Sequence, residues 1–129
     1  MDRIIIPNEV KHFILGAVPS IPYLEAILLL KSMPQHYWSI SELSKRLFIT
    51  ESATETIVKQ LLLAGIIVFS EHEANLYHYH PSNEKLTALI NQVAELYTTN
   101  LVEITNLIHS KSENTAQKFS DAFILRKDK

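Results

Sequence analysis

Ser52, Ala53, Glu55, Thr56 and Lys59 fall on the outward face of one short helical segment, and Ser41, Lys45 and Arg46 hold polar positions on the segment before it. Hydroxyls and cations carried on two consecutive helices are groups that meet base-pair edges and the phosphates beside them. The first set is expected on bases and the second on phosphates. The chemistry of this face is nonetheless sparse. Arginine on guanine and asparagine or glutamine on adenine supply most base discrimination, and none of them stands in the first two turns, which carry Glu51 and Glu55 instead. Carboxylates in the first turn of a helix complement its dipole without any ligand. Leu63 extends the same stripe and is expected in solvent, which opens a second use of the surface, as a contact for another protein.

Other chemistry finds less support. His78 and His80 alternate on one predicted strand face, with His72, Glu71 and Glu73 at the polar tip before it, donor types that suit a divalent metal. Tyr77 and Tyr79 are the expected core contacts, so the histidines read as solvated residues and neither a metal nor a cofactor is expected. Gly16 and Gly65 are the two glycines and form no phosphate-cradling loop, and cysteine is absent. No serine, histidine and acid fall in a nucleophile motif, so the chain is not expected to be an enzyme. Tyr23, Tyr37 and Trp38 cluster around one predicted helix and are assigned to core packing rather than to a ligand pocket.

The elements that position the outward sets can be read from caps and periodicity. Ser39 and Glu42 stand at capping-box spacing, with the hydroxyl on a first-turn amide and the carboxylate reaching back to the cap. The helix that follows packs through Ile40, Leu43 and Leu47. Phe48-Ile49-Thr50 is a turn, Thr50 caps a second helix to Ala64, and Thr54, Ile57, Val58, Leu61 and Leu62 form its inner face. Gly65 supplies a left-handed stop. Ile66-Ile67-Val68-Phe69 and Leu76-Tyr77-His78-Tyr79-His80 then make a hairpin around a polar tip, ended by Pro81. Helix, turn, helix and wing in this order predict a mainly α fold, a winged helix-turn-helix with a two-stranded β wing.

The flanks complete a single domain over 1–129, with 18–81 as its winged-helix core. Ser20-Ile21-Pro22 starts a helix that is apolar nearly all round and ends at Met33-Pro34. Asn8–Ala17 is a weaker helix, and Ile4-Ile5-Ile6 a short sticky arm. Ser82 and Asn83 open the longest predicted helix, 83–109, where Ile90, Val93, Tyr97, Leu101, Ile104 and Ile108 advance by threes and fours in a near-heptad seam. Such a helix rises about 38 Å, more than a small domain covers, so the seam is expected to join two copies in a homodimer. The alternative is that Asn8–Ala17 and the C-terminal segment cover it within one chain. A short helix over 116–125, carrying Phe119, Ala122 and Phe123, precedes a solvated tail.

The formal net charge of −2 removes the general electrostatic argument for nucleic acid. Across 39–80, Lys45, Arg46 and Lys59 face Glu42, Glu51, Glu55, Glu71 and Glu73, so any phosphate contact must be local. No secretory signal and no membrane span are read, and a cytoplasmic location is expected.

Beyond this plan, the chain resembles a group of small, largely uncharacterised bacterial winged-helix proteins grouped with transcriptional regulators. The residues that carry the likeness are Phe13-Ile14-Leu15, Pro19-Ser20, Leu24-Glu25-Ala26 with Leu28-Leu29-Leu30, Trp38, Ala64-Gly65 and Phe119-Ser120-Asp121-Ala122-Phe123. The central pattern is shared with MarR-like and ArsR-like regulators. The resemblance implies the fold and a transcriptional regulator acting on double-stranded DNA, for which the seam reading supplies the homodimer; the competing expectation is a winged-helix module that binds protein instead.

Overall fold

The computed structural model describes residues 5–110 of the 129-residue chain. Helices dominate: α1 (Asn8–Ala17), α2 (Ile21–Ser32), α3 (Ile40–Leu47), α4 (Glu51–Leu63), α5 (Glu84–Thr99) and α6, residues 101–110. Two strands, β1 (Ile67–Phe69) and β2 (Tyr77–Tyr79), pair antiparallel with Val68 opposite His78. The mainly α expectation holds, and each helix through α5 starts within a residue or two of its predicted cap.

Local chemistry explains those starts. The Tyr23 N–H donates to Ser20 Oγ at 3.3 Å, Ala53 N–H to Thr50 Oγ1 at 3.0 Å and Leu86 N–H to Asn83 Oδ1 at 2.8 Å, each satisfying an amide that the first turn leaves open. Ser39 behaves likewise, accepting from Glu42 N–H at 3.1 Å. The other half of the expected capping box is absent. Both Glu42 carboxylate oxygens lie 3.0 Å from His36 Nε2, a partner from the preceding loop that displaces the local one.

α2 is the central helix. It buries Tyr23, Leu24, Ala26, Ile27 and Leu30, and Val10 and Ile14 of α1, Leu43 of α3, Ile57 and Leu61 of α4 and Ile90 and Val93 of α5 belong to the same buried cluster. An apolar circumference is what a helix covered on several sides requires. Trp38 lies just before α3 and is fully buried, exchanging hydrogen bonds of 2.7 and 2.8 Å with Tyr77, so β2 is paired on both edges. This third strand-like segment is too short to announce itself in the sequence.

The long helix does not survive as one piece. α5 ends at Thr99, Asn100 adopts φ −124°, ψ 40°, and α6 begins at once. Thr98 and Thr99 hydroxyls donate to the Glu95 and Leu96 carbonyls, and Thr99 Oγ1 also donates to Asn100 Oδ1 at 2.8 Å, local bonds that compete with helical continuation. The expected dimer seam is thereby turned inward. Ile90, Val93, Ile104 and Ile108 are buried in the protomer's own core, Tyr97 is half-buried, and Leu101 alone of the six is exposed, at 49%. Cover comes from α1, the part of the within-chain alternative that falls among the described residues, which packs on α5, and Ile6 of the N-terminal arm joins the same buried cluster. Ile4, the predicted helix 116–125 and the terminal tail lie outside the described residues. Among the described residues no single helix is long and apolar enough to cross a membrane.

Candidate nucleic-acid interface

α3 and α4 are joined by a turn in which Phe48 takes a left-handed conformation, φ 58°, and its N–H returns to the Ser44 carbonyl. From there α4 divides by face. Thr54, Ile57, Val58 and Leu61 are buried, and the Thr54 hydroxyl, shut from solvent, donates to the Thr50 carbonyl at 2.8 Å. Ser52, Ala53, Glu55, Thr56 and Lys59 are all exposed, so the five predicted base-facing residues share one open surface. Its hydroxyls are partly engaged within the helix, since Thr56 Oγ1 donates to Ser52 O at 3.3 Å.

The predicted phosphate set is less uniform. Lys45 is exposed, whereas Ser41 is half-buried and its carbonyl accepts the Ser44 hydroxyl at 2.8 Å. Arg46 is exposed, yet its guanidinium carbon stands 5.4 Å from the Trp38 ring centroid, a cation–π contact that ties it to the core. Lys45 is therefore the freer cation of the two.

Two features of this surface escape sequence reading. A groove of about 340 Å³ runs between α4 and the start of α2, where Ala53, Thr56 and Gln60 face Pro19, Ser20 and Pro22. Phe48 projects from the turn, 93% exposed, in a backbone region that costs a non-glycine residue about 1–2 kcal/mol. Leu63, at the far end of α4, is 89% exposed as its place on the stripe foretold.

Beside α4 the two strands form a compact antiparallel hairpin. Ser70 N–H donates to the Leu76 carbonyl, Ser70 Oγ accepts from the His72 and Glu73 amides, and Asn75 turns the tip with φ 65°. The tip carries Glu71, His72 and Glu73 and no lysine or arginine. Among the described residues no three histidine or acidic side chains converge as a metal-ligand set. Tyr79 packs inward as expected, and burial raises its phenol above the ordinary tyrosine range. Tyr23 and Trp38 are core residues, as assigned; Tyr37 is not, standing 44% exposed.

Comparison with family models, curated proteins and solved structures finds no match to this chain.

Proposed function

We propose that the chain is a winged helix-turn-helix protein that binds double-stranded DNA and regulates transcription. The observation that carries this reading is the division of α4, which is anchored by four buried residues while Ser52, Ala53, Glu55, Thr56 and Lys59 all stay in solvent beside the hairpin. The order α2, Trp38 bridge, α3, α4, β1, β2 supports the winged-helix reading, under which the second helix of the pair would enter the major groove with the hairpin beside it. Lys45 supplies the nearest unencumbered phosphate contact. With acid exceeding base across 39–80, affinity rests on these few local contacts and on fit.

A two-fold DNA site calls for two copies. With the heptad seam facing inward, the exposed apolar residues left to a second copy near α6 are Ile5, Leu101 and Val102. The proposed homodimer uses these.

The deciding experiment is selection from a random duplex pool with the full chain. Enrichment of a two-fold-related sequence, binding that weakens as salt rises, and loss of it in Lys45→Ala support the reading; no preferred duplex at physiological salt overturns it. Phe48 and Leu63 favour a second reading, a protein-binding module, since two large apolar side chains stand almost wholly in water at opposite ends of α4. In that case Leu63→Glu abolishes a partner contact and leaves duplex binding absent throughout.

A further inference from the structure

The outer face of the sheet is made of rings. In the β1–β2 register Ile67 and Tyr79 turn to the core, which leaves Val68 and His78, a directly opposed pair, on the other side together with His80. Tyr37 precedes the buried Trp38 and so points away from the core at the edge of this face. The Tyr37 and His78 ring centroids are 4.8 Å apart, tilted by 60°, and those of His78 and His80 are 6.0 Å apart. Phe69, His72 and Glu71 complete the rim of a groove of about 350 Å³. That volume lies at the lower end of small-ligand sites, roughly 300–1,000 Å³.

We infer that this groove binds a nucleotide unit, with the base laid on the Tyr37 ring and the phosphate met by the neighbouring His78 and His80 imidazoles. Each part of such a ligand has a counterpart on the face. Aromatic and imidazole planes accept any base through its π-face, without reading its sequence. Imidazole nitrogens are hydrogen-bond donors suited to phosphate oxygens, and the Glu71 carboxylate accepts from an exocyclic amine or a ribose hydroxyl. A metal does not explain the rings, because no ligand triad converges among the described residues. The site involves none of the α3 and α4 side chains assigned to the duplex, so it is tested separately from that reading.

The ligand can be a free mononucleotide or one unit of a single strand, and two probes distinguish them. The full chain, isotopically labelled, is titrated with AMP and then with a short single-stranded oligodeoxyadenylate, following the Tyr37 amide and the His72, His78 and His80 ring resonances. Saturable shifts at these residues support the site; saturation by AMP identifies a free nucleotide, and saturation by the oligomer alone identifies a strand. Tyr37→Ala and His80→Ala, both at exposed positions, are each expected to weaken binding about tenfold. Lys45→Ala is expected to leave it unchanged. The inference is overturned if neither probe saturates, if both groove variants bind as the parent does, or if Lys45→Ala removes the binding.

Discussion

Gly65 and Ser82 meet back to back at the junction of α4, the hairpin and α5. The Gly65 carbonyl accepts the Ser82 N–H at 2.8 Å, Gly65 adopts φ 74°, and a Cβ placed on it would lie 2.7 Å from Ser82 Oγ. Two separate constraints thus fall on one residue, a left-handed backbone and a filled space. Gly65→Ala is expected to lower stability by about 2 kcal/mol or more in urea unfolding, the backbone alone accounting for roughly 1–2 kcal/mol. In a Ser82→Gly background the steric part should be recovered and the backbone part should not. Equal losses in the two backgrounds would show that the close approach costs nothing.

The phenol of Tyr79 is shut from solvent and has no hydrogen-bond partner among the described residues. Tyr79→Phe removes a desolvated hydroxyl that returns nothing, so stability should hold or rise by up to about 1 kcal/mol. The pH dependence follows from burial, which raises the phenols of Tyr79 and Tyr23 above their usual value of 10.0. The folded state keeps protons there that the unfolded chain releases. Their contribution is therefore whole below about pH 10 and lost as pH climbs through the raised values. Alkaline unfolding curves should be shallower for Tyr79→Phe than for the parent, and superimposable curves would contradict the assignment.

Lys45 and Arg46 are neighbours with different duties. Arg46 lies over the Trp38 ring, so Arg46→Ala should cost about 0.5–1 kcal/mol in thermal or urea unfolding as well as any effect on duplex affinity. Lys45→Ala should change stability by less than about 0.5 kcal/mol and act on binding alone. Indistinguishable unfolding midpoints for the two variants would remove the cation–π contact from the account.

Asn100 decides where α5 stops. Asn100→Leu supplies an apolar helix former in place of the buried amide at the break, directly before Leu101 and Val102. If the helix straightens, Ile104 and Ile108 leave the protomer core and a second chain must cover them. Sedimentation should then show the variant shifted toward dimer relative to the parent. An unshifted variant with lower stability would mean that packing against Ile6 and α1, not Asn100, fixes the bend.

What could be read in the sequence was what local chemistry determines. Ser20, Ser39, Thr50 and Asn83 announced helix starts because a side-chain oxygen satisfies a nearby amide wherever the chain goes next. The alternating burial of α4 followed in the same way from its period, and with it the shared exposure of the candidate base-facing set. Contacts between distant segments were not legible. The Trp38–Tyr77 bridge joins residues far apart in sequence, and Glu42, though near His36 in the chain, leaves its cap for a loop whose path the spacing does not announce. The seam over α5 and α6 did not name its own cover, because a heptad pattern records which side is apolar and not whose atoms cover it. Thr98-Thr99-Asn100 was the available warning, three weak helix formers in a row whose side chains bond their own backbone.

Trp38 is the chain's only tryptophan and is fully buried where the sheet meets α2 and α3, with the His36 ring edge-on at 4.4 Å. The protein accordingly carries an intrinsic fluorophore where the sheet meets the helices. During denaturation, an emission maximum that moves to the red before far-ultraviolet ellipticity declines would report the hairpin peeling away from helices that are still wound, without a dye or an engineered label.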